Sequence, residues 1–270
     1  MLNREMVMEE LVNRGYEVKA QDTIKNGVKL QGICFGSDEV RPLVHLNSFF
    51  EEAEEYDLTL EDVVDKIESV LDTETPSINI DELSDTNFAM KHIRIGVQKS
   101  SNEELVKRES FFEGIEEYLY LNLEFGTAKI TKEIAQRYEA SFEELWEKAE
   151  INTKANISIK SMGEIMREMM GDNFPFCEEE PNLYVVTNKD RYRGAAGALD
   201  KNTLNGLANV LGVKGFAVLP SSIHEMLLVP FKEIEEIDME ELNDMVSTIN
   251  HTEVPPEERL TDRAYLYEVA

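Results

Sequence analysis

Between Leu219 and Pro230 the chain reads LPSSIHEMLLVP, which places two serines, a histidine and a glutamate within residues 221–225, ahead of an apolar run. Those residue types would serve nucleophilic catalysis, with Ser221 or Ser222 attacking, His224 as base, and Glu225 as the acid that orients the imidazole. Their spacing works against that relay. In an extended strand Ser222 and His224 share a face, about 6.5–7 Å apart, while Glu225 points to the opposite side. In a helical turn the same residues form an S-x-x-E capping box, the serine oxygen accepting from the Glu225 N–H and the glutamate reaching back. The sequence therefore predicts a capped turn that feeds a buried strand ending at Pro230. Ser221, Ser222, His224 and Glu225 stand as the candidate catalytic set, and His224 is the one residue that capping does not explain.

Two asparagines are candidate binding residues, Asn188 at the end of LYVVTN and Asn250 in INHTEV. Asn at a strand-to-turn boundary is foremost an Asx-turn residue. No HExxH, GxSxG or EF-hand loop occurs, and His45, His92, His224 and His251 share no chelating spacing. Gly194, Gly197, Gly206, Gly212 and Gly215 fit neither GxxxxGK[ST] nor GxGxxG after a strand. Neither a cofactor nor a metal is expected.

The elements that must position these residues follow from periodicity and turn chemistry. Residues 2–14 carry a helical rhythm stopped by Gly15. Lys25-Asn26-Gly27 between alternating segments predicts a hairpin, followed by a strand at 41–46. Residues 48–71 are helical and divided at Thr59–Asp62, a capping-box variant. The segment 72–88 is a connector with a short helical turn at 81–83. HIRIGVQ (92–98) is a strand, 102–109 is helix-like, and EEYLYLNLEFG alternates as a half-buried strand. Helices are expected at 131–139 and 141–151, the second opened by Ser141 and Glu144 and carrying Trp146, read as a core residue. A Met-rich helix at 161–170 ends at Gly171. The stretch 171–182, with glycine, two prolines and an acidic triplet, is the expected domain boundary. Beyond it come strands LYVVTN and GAAGAL, a helix at 201–211, strand GFAVLP, a helix at 238–249 and strand AYLYEV. This order predicts an α+β fold of mostly antiparallel sheets with helices packed on one face, in two lobes, 1–171 and 172–270.

Composition narrows the function classes. At 270 residues the chain buries a sizeable core unaided. Its 27 Lys and Arg against 55 Asp and Glu give 27 − 55 = −28. That charge opposes direct binding to nucleic acid or to an anionic membrane surface, and suits a basic protein partner or imitation of a phosphate array. Cys34 and Cys177 are the only cysteines, with neither disulfide nor zinc spacing, as in a reducing cytoplasm. No signal-peptide core and no run of about 18 apolar residues is present, so a cytoplasmic, membrane-free protein is expected. Oligomeric state is not fixed by these features.

The ordered segments NGVKLQGICF, ITKEIAQRYEASFEELWEKAEINT, LYVVTN, GAAGAL, LPSSIHEMLLVP and ELNDMVSTINHTEVPPEERLTDRAYLYE resemble domain-of-unknown-function family 5688, over nearly the whole chain. The resemblance implies a bacterial family of Firmicutes and their mobile elements that carries no assigned activity. The connector 72–90 is longer and more acidic than the family pattern. Two expectations follow. The first is a non-enzymatic interaction or regulatory factor, such as a mobile-element anti-defence protein, engaging a basic partner through its acidic surface. The second is an unrecognised hydrolase-like enzyme with its site around Ser221–Glu225, assisted by Asn188.

Overall fold

Asn3 opens the first helix, α1 (Arg4–Asn13), by accepting a hydrogen bond from the Met6 N–H, and Gly15 follows its end at φ +96°, as the sequence predicts. In the computed structural model, which describes residues 2–36, 42–71, 80–123, 126–170 and 183–269, α1 belongs to the first of two units, Met1–Ile80 and Asp81–Ala270. Within the first unit, β1 (Val18–Ala20), β4 (Gly32–Phe35) and β5 (Leu43–His45) form an antiparallel three-stranded sheet. A separate hairpin joins β2 (Thr23–Lys25) to β3 (Val28–Leu30) through Asn26 and Gly27 at φ 51° and 77°. Those left-handed values are the ones a type I′ turn requires.

Helices α2 (Asn47–Tyr56) and α3 (Leu60–Leu71) divide where Thr59 and Asp62 cap each other reciprocally. The Asp62 N–H donates to Thr59 Oγ1 at 3.2 Å and the Thr59 N–H to Asp62 Oδ2 at 2.8 Å. Val7 and Leu11 of α1, Ile33 of β4, and Val63, Val64 and Ile67 of α3 are fully buried together. They supply the first unit's core. Cys34 is a free thiol whose Sγ donates to Gln21 Oε1 at 2.9 Å.

The short α4 (Ile80–Leu83) begins at the unit division, and in the second unit α5 (Thr86–His92) leads directly into β6 (Ile93–Lys99). β6 pairs with the long β8 (Ile115–Leu123), and β7 (Lys107–Glu109) and β9 (Gly126–Lys129) also pair with β8, all antiparallel. After α6 (Lys132–Ala135) and α7 (Phe142–Lys154) comes β10 (Ile157–Ser161), followed by α8 (Met162–Met170), β11 (Tyr184–Asn188), a 3-10 turn (Ala195–Leu199) and α9 (Lys201–Leu211). Then come β12 (Gly215–Leu219), β13 (Met226–Phe231), α10 (Met239–Glu253) and β14 (Tyr265–Glu268). The five strands β10-β11-β13-β12-β14 form one antiparallel sheet. The chain is thus α+β with mostly antiparallel sheets. Ile93, Ile115, Leu119, Leu145, Phe216 and Leu228 are buried in one cluster that spans both sheets and α7.

The sequence and the structure part at three places. The unit division falls at Ile80–Asp81 rather than at 171–172, because β10 and β11, one on each side of 171–182, are paired through five residues from Ile157↔Asn188 to Ser161↔Tyr184. Residues 171–182 themselves, with Cys177, and residues 72–79 of the 72–88 connector lie outside the described residues. GAAGAL is a 3-10 turn, since its small residues allow close packing on β11: a Cβ on Gly197 would meet Val186 Cγ1 at 3.1 Å. The segment 102–109 is no helix. Leu105 and Val106 are buried and Lys107 pairs with Tyr118, so tertiary pairing overrides the local helical rhythm.

Candidate functional site

Residues 220–225 connect β12 to β13, and the strand after them is buried as predicted. The entry differs from a capping box, for no helix follows. The Ser222 hydroxyl accepts from the His224 N–H at 3.1 Å, two residues on rather than three, and the Ser222 N–H donates to the Glu225 carbonyl at 3.1 Å. Ser and Thr hydroxyls commonly support turns in this way. Ile223 is 2% exposed and pins the turn into the core, while its N–H donates to the Glu258 carbonyl at 2.9 Å. The His224 carbonyl accepts from Gly194 N–H at 3.0 Å and from Thr187 Oγ1 at 2.8 Å.

The imidazole of His224 is engaged at both nitrogens. Nδ1 accepts from the Arg193 N–H at 3.1 Å, which places the ring proton on Nε2, facing Glu258 Oε1 at 3.3 Å. The Tyr192 ring lies against it with centroids 5.0 Å apart. No nitrogen of His224 is directed to Ser222, and the Glu225 carboxylate belongs to a different surface, lining a 350 Å³ cleft with Lys160, Asn188, Lys189 and Arg191. Ser222, His224 and Glu225 are therefore joined through turn hydrogen bonds to backbone groups, not by a nucleophile-to-base hydrogen bond.

Asn188 does meet His224, through the loop between them. Its Oδ1 accepts from the Tyr192 N–H at 3.1 Å and its Nδ2 donates to the Tyr192 carbonyl at 2.7 Å. This clamp holds a loop in which Arg191 and Arg193 take left-handed φ values of 54° and 53°. Gly194 completes it, because a Cβ there would lie 2.3 Å from the Asn188 nitrogen. Asn250 has another job. It is 1% exposed, and its Nδ2 donates to the Thr261 carbonyl at 3.1 Å and to Asp262 Oδ1 at 2.9 Å, tying α10 to the segment before β14.

The most heavily connected polar groups are ones that the sequence does not flag. Arg193 Nη1 donates to the hydroxyl of Tyr118, a residue 1% exposed. Gly96 on the facing strand makes room for that ring, since a Cβ would stand 2.7 Å from Tyr118 Cζ. Nearby, Glu116 is 1% exposed and accepts from Gln98 Nε2 at 2.7 Å, from Ser101 Oγ at 2.7 Å and from Lys107 Nζ at 3.0 Å. Burial works to raise its carboxyl, but these bonds and the Ser101 N–H outweigh burial and hold it below the usual carboxylate range. Alternation of Tyr118 and Tyr120 along β8 is the only sequence trace of this arrangement.

A second cleft, of about 460 Å³, opens among β6, β8, α7 and the 3-10 turn. Four carboxylates line it, Glu117, Glu147, Glu150 and Asp200, against two cations, Arg108 and Lys154, over a floor that includes Ile95 and Leu199. Arg108 bridges Glu117 at 2.6 Å and Glu150 at 3.0 Å while its guanidinium lies 4.2 Å from the Trp146 ring centroid. Trp146 is thus half-buried against the core on one side and covered by a cation on the other.

Among the described residues no cluster of three or more His, Cys, Asp or Glu is arranged to hold a metal ion. No helix among them is long and apolar enough to cross a membrane. Fold and composition together define a strongly acidic α+β protein built on antiparallel sheets. Its kinship is specific: the chain belongs to the family of unknown function DUF5688, whose pattern matches residues 3–269. No curated protein and no solved structure matches the chain.

Proposed function

We propose that this is a non-enzymatic interaction or regulatory factor of the bacterial cytoplasm, and that it engages a basic protein partner through the 460 Å³ cleft. The observation that carries this reading is the cleft's lining of four carboxylates against two cations over an apolar floor, in a chain of net charge −28. A lysine or arginine side chain fits such a surface, its stem on Ile95 and Leu199 and its head among the carboxylates. Glu147 and Glu150 are exposed at the rim, where they would act on encounter and register. The same charge disfavours nucleic acid and anionic membranes as direct partners. Anti-defence activity is one form that such a factor would take. The hydrolase reading is supported less well, because His224 is bonded to Arg193 and faces Glu258 rather than Ser222.

Trp146 is the sole tryptophan, and its Arg108 cover lines the cleft, so indole fluorescence reports occupancy directly. Titration of the full chain with an octalysine peptide is expected to change Trp146 emission saturably. The double variant Glu147→Gln/Glu150→Gln is expected to weaken that response. Emission unchanged by the peptide, or an equal response in the double variant, would contradict the proposal.

A further inference from the structure

In the first unit α1 and α2 each pack on α3 but make few contacts with each other, and a groove of about 570 Å³ lies between them. Two helices laid on a third without meeting leave a seat for a fourth. The floor of the groove is apolar, with Leu2 and Met6 on the α1 side and Phe50, Ala53 and Leu58 on the α2 side. Phe50, Ala53, Glu54 and Asp57 stand at i, i+3, i+4 and i+7, so α2 presents them as one stripe. Asp57 takes a left-handed φ of 53° and the Leu58 N–H donates to the Ala53 carbonyl at 3.0 Å. That closing folds the chain back over the helix end and brings Leu58 to the floor. Met6 is 40% exposed, and Ala53 puts only a methyl group at the centre of the stripe, which leaves depth for an incoming side chain.

The rim is acidic and unneutralised. Glu54 and Asp57 line the groove, and Glu9 follows Met6 by three positions, on the same side of α1. All three are exposed, and among the described residues none of their carboxylates has an ion pair. The cations of these helices are committed elsewhere: Arg4 to Asp22, Arg14 to Glu10, Asp65 and Glu68, and Lys66 to Glu52. An apolar floor between carboxylates matches a helix that carries an apolar stripe flanked by lysine or arginine. A second copy of this chain would bring a net charge of −28 against the same rim, and an anionic lipid surface would be repelled likewise.

We infer that the groove between α1 and α2 is a docking site for a basic amphipathic helix of a partner protein. Large apolar side chains of that helix enter between Met6 and Phe50, over Ala53, while its flanking cations meet Glu9, Glu54 and Asp57. The groove belongs to the first unit and the 460 Å³ cleft to the second, so the two surfaces are tested separately.

The test is an NMR titration of the full chain, labelled at its methionine methyl groups, with an amphipathic Leu/Lys peptide of about 14 residues, roughly four helical turns. The peptide is expected to shift the Met6 methyl saturably and to leave in place that of Met169, which is 78% exposed on α8. A peptide of the same composition with its leucines spread around the helix, and octalysine, are both expected to leave Met6 unmoved. Glu54→Gln/Asp57→Asn changes two exposed residues, and asparagine tolerates the left-handed backbone at 57. It is expected to weaken the Met6 response by about threefold to tenfold. A Met6 methyl unmoved by the amphipathic peptide, or moved equally by either control, or moved together with Met169, would overturn the assignment. A Met6 shift that grows with protein concentration in the absence of peptide would overturn it too, by giving the groove to a second copy of the chain.

Discussion

His224 answers the question its neighbours raise in the sequence. It is a latch between two loops, with Nδ1 on the Arg193 N–H and its carbonyl on Gly194 and Thr187. Replacing His224 by Ala leaves the Arg193 N–H without its acceptor and is expected to cost about 1–3 kcal/mol in urea denaturation. Ser221→Ala should stay within about 0.5 kcal/mol of wild type. Equal effects at the two positions would argue against the latch. Gly194→Ala is a sharper residue-scale case. Its Cβ would sit 2.3 Å from backbone, so a loss of about 1–3 kcal/mol or more is expected by the same assay. Glu116 adds a pH dependence. Its folded carboxyl titrates below its unfolded value, so the stability it confers is present above the unfolded pKa, near 4.3, and is lost as pH falls through the lower folded value. Glu116→Gln should therefore be less stable than wild type at neutral pH, with the difference shrinking in acid. A difference that grows in acid would reverse the sign of this account.

At the scale of elements, local chemistry decided most of what could be read. Ser141 caps α7 in a full capping box with Glu144, and Thr59 with Asp62 separates α2 from α3, both at spacings visible in the sequence. Ser141→Ala is expected to cost about 1 kcal/mol in thermal or urea denaturation. Gly206 lies exposed inside α9 with nothing within 4 Å of a Cβ, so Gly206→Ala should stabilise by about 0.5–1 kcal/mol. The illegible elements share a cause. The 102–109 segment, the GAAGAL turn and the Ser222–Glu225 turn are all set by partners distant in sequence, namely β8, β11, and the 194–195 and 258 backbones. S-x-x-E cannot reveal whether its serine will cap a helix or fold onto the second residue along. Alternation along β8 predicts a half-buried strand, yet Tyr118, Leu119, Tyr120 and Leu121 are all buried. Alternation there reflects two packed faces rather than one wet one.

For the whole molecule, charge was legible and its distribution was not. The net charge of −28 follows from counting, whereas the two features that give it consequence arise only on folding. One is the 460 Å³ cleft, where carboxylates from β8, α7 and the start of α9 meet over an apolar floor. The other is the pair Arg94 and Arg193, each with a buried Nε that has no hydrogen-bond partner among the described residues. The unit division was also hidden, because a stretch rich in breakers at 171–182 looks like a linker even when the strands flanking it pair with each other. Exposed ion pairs contribute only about 0.2–1 kcal/mol each, so an acidic docking surface must act through many charges at once and be screened by salt. The central claim is therefore tested most directly by the ionic-strength dependence of octalysine binding, read through Trp146, in wild type and in Glu147→Gln/Glu150→Gln. Affinity that falls steeply with salt in wild type, with a shallower slope in the double variant, is the predicted result; affinity indifferent to salt, or identical slopes in the two chains, would contradict it.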